Sequence, residues 1–176
     1  CGSFRRDPAL PAESVTPADY RRSGYDRGHL APAADMAFSA RAMRESFFMS
    51  NISPQKREFN RGIWKRLEQQ VRRFALHEGE IMVITGPVLP QEKTVTIGRN
   101  KITVPPRYYK VIYDLTPPRK MIAFLLPAEG SSRPLQEFAV TVDEVEKATG
   151  LDFFSLLPQH EQELLESSLA VDAWTW

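Results

Sequence analysis

Hydrophobic residues recur at helical spacing in one long segment, residues 58–77. Four apolar residues follow one another at intervals of four, four and three: Ile63, Leu67, Val71 and Phe74. These intervals place the four side chains on one face of a helix. Gly79 follows the segment and can end the helix. The pattern predicts one long amphipathic helix with a single buried face.

Shorter apolar runs predict β-strands. The expected strands are a strand end that runs into a loop over 28–35, buried strands at 47–49 and 81–85, a hairpin over 94–104, and strands at 108–115 and 120–126. Proline is expected to break the chain at Pro54, to stop the strand over 81–85 at Gly86-Pro87, and to join the last two strands at Pro117-Pro118.

Short helices complete the predicted set. They are expected over 39–46, over the segment between Thr141 and Gly150, and over 161–168. Thr141 and Glu144 have the spacing of a capping box, and Gly150 suits a helix end. Residues 1–24 show little periodicity and are expected to be mostly irregular. The predicted fold class is α+β: a central, mostly antiparallel sheet flanked by helices.

Length and composition narrow the class of protein. A chain of 176 residues is expected to form one domain, 1–176. No apolar run reaches the roughly 18 residues of a membrane-spanning helix. The single cysteine, Cys1, excludes an intrachain disulfide framework and a cysteine-rich zinc site.

The formal net charge of +1 conceals a division along the chain. Residues 1–75 hold 14 basic and 8 acidic side chains, whereas residues 76–176 hold 9 basic and 14 acidic ones. Twelve of the 14 basic residues in the first part are arginine, which binds phosphate in a bidentate manner. The basic part therefore suggests an anionic partner, and a solvated basic surface is the alternative.

One of the three histidines, His29, has a neighbourhood that suggests chemistry. Arg27 lies two residues earlier, so on an extended strand both side chains project to the same face. A neutral imidazole can take a proton from water while the guanidinium holds a phosphate. The alternative is a surface ion pair between Asp26 and Arg27, with His29 packing only.

A second candidate cluster lies at the start of the long helix. Asn60 and Glu68 fall on one stripe of a regular helix, about 12 Å apart along its axis. Asn60 can serve as a helix cap, or its amide oxygen can be a ligand of a hard cation such as Mg²⁺. Glu68 can hold a water of that cation, or can pair with Arg72 four residues later.

Five segments, taken together and in this order, resemble one known family. They are DRGHLAPAADM (26–36), FFMSNISPQ (47–55), FNRGIWKRLE (59–68), ITGPVL (84–89) and TVDEVEKATGLDFF (141–154). The family is the DNA/RNA non-specific endonucleases, ββα-metal (His-Me finger) nucleases that include the sugar-nonspecific bacterial nucleases and endonuclease G. The resemblance extends from about Phe4 to Glu166 and implies a ββα-metal motif at the active site.

The resemblance implies a role for each matching residue. His29 matches the general base, Arg27 the phosphate-binding arginine, and Asn51 the asparagine that supports the catalytic site. Asn60 matches the single protein ligand of Mg²⁺, and Glu68 the acidic residue that binds the metal through water. Mn²⁺ or another divalent cation can substitute for Mg²⁺. We also expect two further arginines to contact the substrate, Arg57 and Arg61.

The implied activity is hydrolysis of DNA and RNA to products with 5′-phosphates. The alternative is a nuclease-like module that binds nucleic acid or protein without cutting. Further expectations are DNA and RNA substrates, a homodimer, a protein inhibitor, and an exported location, or a mitochondrial one in a eukaryote. The chain begins near the family's F-x-x-D-P stretch (Phe4 to Pro8), so the family's usual first strand is expected to be missing. A mature lipoprotein that starts at Cys1 also fits.

Overall fold

A computed structural model describes residues 3–92 and 94–176 of the chain. Cys1 and Gly2 lie outside the described residues, and with them the predicted lipoprotein start; Lys93 does too. No helix in the described part combines the length and the apolar character needed to cross a membrane.

The described residues form eight strands and four α-helices. The strands are β1 (Asp26–His29), β2 (Ile52–Gln55), β3 (Ile81–Val88), β4 (Thr96–Ile97), β5 (Ile102–Thr103), β6 (Arg107–Asp114), β7 (Lys120–Pro127) and β8 (Ala139–Val140). The helices are α1 (Ala40–Glu45), α2 (Trp64–Glu78), α3 (Val142–Thr149) and α4 (Gln159–Glu166). A π-helical turn, Phe59–Ile63, leads into α2, and short 3₁₀ turns include Pro17–Tyr20, Ala33–Met36 and Met49–Asn51.

A four-stranded antiparallel sheet in the order β3-β6-β7-β8 forms the centre of the fold. Side chains alternate between the two faces of a strand, and β6 shows this directly. Tyr108 and Ile112 belong to the apolar core that includes α2. Val111 and Tyr113 belong to the core that includes α3. The helices therefore cover opposite faces of one sheet.

The amphipathic helix packs as its periodicity predicts. Ile63, Leu67, Val71 and Phe74 are all buried against the sheet. At the far end of the helix, Gly79 has a φ of 103°, a conformation that other residues rarely adopt. Burial of this apolar stripe fixes α2 on one face of the sheet.

The β1–β2 pair is a separate antiparallel ribbon that lies against the α2 face of the sheet. All four residues of β2 are buried. The Tyr108 hydroxyl lies 2.7 Å from the Ser53 hydroxyl and donates to the Pro54 carbonyl at 2.8 Å. Strands β1 and β2, followed by α2, thus form one unit, and Tyr108 of β6 connects this unit to the sheet.

Much of the predicted architecture is confirmed. The 94–104 hairpin, the two long strands joined through Pro117-Pro118, and the mixed helix and antiparallel-sheet composition are all present. The Thr141 capping box starts α3, and Gly150 ends it in the left-handed conformation. Residues 3–24 contain a single short 3₁₀ turn, Pro17–Tyr20, and α1 follows its Ser39 cap.

Three predictions about strands are wrong. Phe47–Met49 is not a buried strand: it forms a turn, an isolated bridge between Phe48 and Arg5, and the start of a 3₁₀ turn. Pro54 does not break the chain but lies inside β2, and β3 runs through Gly86-Pro87 to Val88. Proline is tolerated in both strands because each pairs on one side only within the described residues.

Two predictions about helices also need correction. The regular α-helix starts at Trp64, because Gly62 has a non-helical φ of −104° and ψ of −110° in the preceding π turn. Asn60 and Glu68 therefore do not share a stripe of one regular helix. The last helix begins two residues earlier than expected, directly after Pro158, and ends at Glu166.

Candidate active site

The β1–β2 ribbon that carries His29 depends on a close approach at Gly28. A Cβ atom added to Gly28 would lie 2.1 Å from the side-chain oxygen of Gln55. Gln55 itself is completely buried on β2. Glycine at this position therefore allows the Gln55 side chain to cross β1 directly beside His29.

The His29 imidazole lies between two phenylalanine rings. Its ring centroid is 4.8 Å from that of Phe47 and 5.7 Å from that of Phe4. Burial lowers the pKa of His29 below its usual 6.5, so the imidazole is neutral at pH 7. Its Nε2 is buried and has no hydrogen-bond partner among the described residues.

Arg27 lies on the same side of β1 as His29, as alternation predicts. Its guanidinium is 5.2 Å from the centre of the Phe4 ring, which also contacts His29. It donates one hydrogen bond, at 3.0 Å, to the Pro17 carbonyl. Within the described part of the chain, no carboxylate forms an ion pair with Arg27. Asp26 pairs with Arg61 instead, at 2.8 Å, so the predicted alternative of an Asp26–Arg27 pair is wrong.

Asn60 lies in the π turn before α2, and its side chain faces β1. Its Nδ2 donates to Asp26 Oδ2 at 3.1 Å. An ionised carboxylate only accepts hydrogen bonds, so this contact fixes the amide with Oδ1 on the other branch. The helix-capping alternative does not hold, because the N-cap residue of this turn is Glu58 and no side-chain cap is formed among the described residues.

Asp26 also gathers the two predicted substrate-binding arginines. Arg61 Nε lies 2.8 Å and Arg57 Nε 4.0 Å from its carboxylate, and both guanidinium side chains are mainly exposed. Burial of Asp26 would raise the pKa of its carboxyl, but the hydrogen bonds from Arg61 and Asn60 outweigh burial and lower it. Asp26 therefore stays ionised and holds Asn60, Arg57 and Arg61 at the start of β1.

Asn51 fastens the chain that follows His29. Its Oδ1 accepts from the Ala31 backbone amide, and its Nδ2 donates to the carbonyls of Ala31 and Ser46, all at 2.9 Å. The Asn51 carbonyl also accepts from the Leu30 amide at 2.9 Å. Every polar group of the side chain is engaged in backbone contacts, so Asn51 positions the loop after His29.

Glu68 lies on α2 near a buried lysine. Burial raises the pKa of the Glu68 carboxyl, and the positive charge of Lys110 opposes that rise. The predicted pair between Glu68 and Arg72 is absent among the described residues, because Arg72 binds Asp35 at 2.9 Å. The charges of Lys110 and Arg72 therefore act to lower the pKa of Glu68, although neither side chain forms a direct ion pair with it among the described residues.

Lys110 is a residue that the sequence reasoning missed. It is 1% exposed and lies on β6 beneath α2. Its Nζ donates to Thr85 Oγ1 at 2.9 Å and to the Leu30 carbonyl at 3.4 Å, and lies 4.7 Å from the centre of the Trp64 ring. Burial lowers the pKa of Lys110 to about 8, which leaves it charged at pH 7. The sequence signal that could have revealed Lys110 is the presence of a lysine within the otherwise apolar central part of β6.

The structure brings most of the predicted residues to one region. One open cleft is lined by Phe4, Tyr20, Tyr25, Asp26, Arg27, Asn60 and Arg61. His29 adjoins the cleft through the Phe4 ring, and its carbonyl accepts from Trp64 Nε1 at 3.3 Å. Asn51 and Glu68 do not line the cleft: Asn51 binds the segment that follows His29, and Glu68 lies on α2 near Lys110.

The side chains around the cleft fit a hydrated hard cation. Asn60 lines the cleft, and its Oδ1 is an amide oxygen held in a fixed orientation; Glu68 is a carboxylate on α2 outside the cleft lining. Hard cations such as Mg²⁺ take few oxygen ligands from the protein and keep several waters. No cysteine or histidine is among the described residues that line the cleft, so the donor set excludes a zinc site of the usual kind.

Comparison with known proteins places these residues in a family context. The sequence model of the DNA/RNA non-specific endonuclease family matches residues 1–160. The chain is 39% identical to the mitochondrial nuclease EXOG of Danio rerio over 175 residues, which cover 90% of this chain and 51% of that protein. It is 35% identical to the mitochondrial endonuclease G of Homo sapiens over 164 residues, 85% of this chain and 55% of that protein. The chain thus spans about half the length of these relatives.

A solved structure supports the same relationship. The crystal structure of the EndoG/EndoGI complex matches with a TM-score of 0.82 and 34% sequence identity, over 90% of this chain and 71% of that chain. Similarity in sequence and similarity in overall fold therefore agree. The chain belongs to the DNA/RNA non-specific endonuclease family.

Proposed function

We propose that this protein is a divalent-metal-dependent endonuclease that hydrolyses phosphodiester bonds of DNA and RNA. The observation that carries the proposal is the contact between Asp26 and Asn60. It orients a hard oxygen ligand beside the same short strand that carries His29. The β1–β2–α2 unit corresponds to the ββα-metal motif implied by the sequence.

His29 is the proposed general base. Its enclosure by Phe4 and Phe47 keeps the imidazole neutral, which a base requires at pH 7. Nε2 is buried and has no hydrogen-bond partner in the described part of the chain, so Nδ1 is the nitrogen proposed to take the proton from the attacking water. Asn51 holds the loop that follows His29 in place and so fixes the orientation of the His29 ring.

The arginines of the cleft are proposed to bind the phosphates. Arg27 is half-buried and carries a charge without a carboxylate partner among the described residues, so an incoming phosphodiester supplies the missing anion. Arg57 and Arg61 are exposed at the cleft edge and are available for neighbouring phosphates. Contacts to phosphates position a nucleic acid without reading its sequence, which suits a non-specific nuclease.

Asn60 and Glu68 are the proposed metal-holding residues, with Asn60 as direct ligand and Glu68 acting through water. Mg²⁺ is the proposed cation, and Mn²⁺ is a substitute. A bound metal supplies charge for the transition state and an acidic water for the leaving 3′ oxygen. Products with 5′-phosphates follow from release of that oxygen.

A plasmid-nicking assay tests this function. Purified protein should nick supercoiled DNA and degrade RNA with Mg²⁺ but not with EDTA. His29→Ala should reduce the rate by about 10²–10⁴-fold, as expected for loss of a general base. His77→Ala is the matched control, because His77 is exposed at the end of α2 and should leave the rate unchanged.

Two outcomes would overturn the proposal. Full activity of His29→Ala would show that His29 is not the general base. Full activity of Asn60→Ala would show that Asn60 is not the metal ligand. Nucleic-acid binding without any cleavage under all metals tested would favour the alternative of a silent binding module.

Partners and location remain proposals that the comparisons support to different degrees. The solved relative in complex with EndoGI supports a protein inhibitor. The mitochondrial nucleases among the similar proteins support the mitochondrial location. Export and a homodimer stay predictions from the sequence.

A further inference from the structure

Three carboxylates meet on the side of the sheet opposite the catalytic cleft. Asp143 and Glu146 belong to α3, and Glu166 is the last residue of α4. One carboxylate oxygen from each residue lies within 4.8 Å of the other two. Because α3 covers the face of the central sheet away from α2, this group is separate from His29 and Asn60.

Glu166 is buried without the partner that a buried carboxylate needs. It is 4% exposed, and its Oε1 has no hydrogen-bond partner in the described part of the chain. An unpaired buried carboxylate is costly, since burial penalises the charged form. Its place at the C-terminus of α4 adds to the cost, because the helix dipole there disfavours negative charge.

The surroundings of Glu166 increase the negative charge and do not offset it. Asp143 and Glu146 each bring a further carboxylate oxygen within 4.8 Å of the Glu166 carboxylate. None of the three carboxylates forms an ion pair with a lysine, arginine or histidine among residues 3–92 and 94–176. The Glu146 side chain accepts one hydrogen bond, from the Phe153 backbone amide at 2.8 Å. Within the described residues, the three carboxylates therefore have no direct cationic partner.

We propose that Asp143, Glu146 and Glu166 bind a Ca²⁺ ion that joins α3 to α4. All three donors are carboxylate oxygens, which favour a hard cation over zinc or copper. Carboxylate oxygens that lie within 4.8 Å of one another can surround Ca²⁺, which takes ligands at about 2.3–2.6 Å in a flexible geometry. Mg²⁺ demands near-ideal octahedral geometry at about 2.0–2.1 Å and is usually held by one or two carboxylates, so three convergent carboxylates favour Ca²⁺.

The geometry also explains how the ion would be held. Glu166 offers an oxygen from the protein interior, and Asp143 is exposed and lets water complete the coordination. The Phe153 amide holds Glu146 in place and ties the loop after α3 to the same site. Loading the site would therefore stabilise the packing of α3 and α4 without changing the catalytic cleft.

Calorimetric titration with CaCl₂ alone tests the site in the Asn60→Ala protein, which lacks the proposed catalytic ligand. We expect one Ca²⁺ per chain and a rise in the thermal unfolding temperature with Ca²⁺ concentration. Glu166→Gln should weaken binding by about tenfold or more, because it removes a charged ligand. Glu163→Gln, an exposed change on the same helix, should bind Ca²⁺ normally.

A second variant keeps the test decisive if Glu166→Gln fails to fold. Asp143→Asn alters an exposed ligand and should also weaken Ca²⁺ binding about tenfold or more, with the unfolding temperature in EDTA unchanged. Absence of Ca²⁺ binding in Asn60→Ala would overturn the proposal. Undiminished binding in both carboxylate variants would overturn it as well. Neither result would bear on plasmid nicking, which depends on the other face of the sheet.

Discussion

The Asp26 carboxylate accepts a hydrogen bond from the Asn60 side-chain amide at 3.1 Å and so decides which atom of Asn60 faces the cleft. Removing the carboxylate with Asp26→Ala frees the amide to rotate. We expect the Mg²⁺ concentration for half-maximal nicking to rise about 10–100-fold, the usual cost of losing a residue that orients a metal ligand.

The control for Asp26→Ala is Glu137→Ala. Glu137 is an exposed carboxylate that pairs with Arg133 away from the cleft. Its removal should leave the Mg²⁺ dependence unchanged. An unaltered Mg²⁺ dependence in Asp26→Ala itself would mean that Asn60 does not rely on Asp26.

The pH dependence of nicking should reflect the enclosure of His29. A general base works in its neutral form, and burial lowers the pKa of His29 below 6.5. Activity is therefore lost only as the pH falls through that lowered pKa, and the acid limb of the rate profile at saturating Mg²⁺ should lie below pH 6.5.

Opening the enclosure provides the check on this assignment. Phe47→Ala removes the ring 4.8 Å from the imidazole and should move the acid limb towards pH 6.5. If the acid limb does not move in Phe47→Ala, the limb does not report the protonation of His29.

Lys110→Met tests whether the buried lysine keeps Glu68 ionised. The Lys110 charge opposes the rise in the Glu68 pKa that burial causes. Without it, Glu68 should bind protons at higher pH, so nicking at pH 6 should fall about tenfold more than nicking at pH 8. The exposed Lys147→Met serves as control, and circular dichroism verifies that both proteins fold. Equal losses at the two pH values would indicate a purely structural role.

Acid stability should depend on Asp19, which fastens the 94–104 hairpin to the turn that contacts Arg27. Burial alone would raise the Asp19 pKa, but hydrogen bonds from Asn100 and Thr16 outweigh burial and lower it to about 2. The lowered pKa adds about 2 kcal/mol to the free energy of unfolding above pH 3.8, and this contribution is lost as the pH falls through 2.

Urea unfolding of Asp19→Asn at several pH values measures this contribution. The variant should be less stable than the natural chain at pH 7, and the difference should shrink below pH 3.8. Asp172→Asn, at an exposed site, should show no such difference. A difference that stays constant down to pH 2 would contradict the assignment to Asp19.

The regular elements could be predicted because their signals are local. The stripe of Ile63, Leu67, Val71 and Phe74 determines α2, and Thr141 with Gly150 determines both ends of α3. The strands around Pro54 and Pro87 were misjudged because proline disrupts a strand only where its missing N–H is needed. Whether a strand is an edge depends on its neighbours, which a single segment does not reveal.

The candidate site was predictable to the extent that its residues lie in motifs. Arg27 and Asn60 were expected at the site and do line the cleft. Two long-range contacts near the site were not expected: Asp26 binds Asn60 across 34 positions of the chain, and Lys110 binds the Leu30 carbonyl across 80. The kink at Gly62 was equally hidden, because apolar periodicity continues through it.

The alternation of β6 makes this strand sensitive to changes in chain length. Tyr108 and Lys110 face α2 and the β1–β2 ribbon, whereas Tyr109 and Val111 face α3. Inserting or deleting one residue within Arg107–Asp114 would exchange the two faces. The lysine would then enter an apolar core, and the Tyr108 hydroxyl would leave Ser53 and Pro54. Length variation among related chains should therefore collect in the connection between β6 and β7 and be absent from β6.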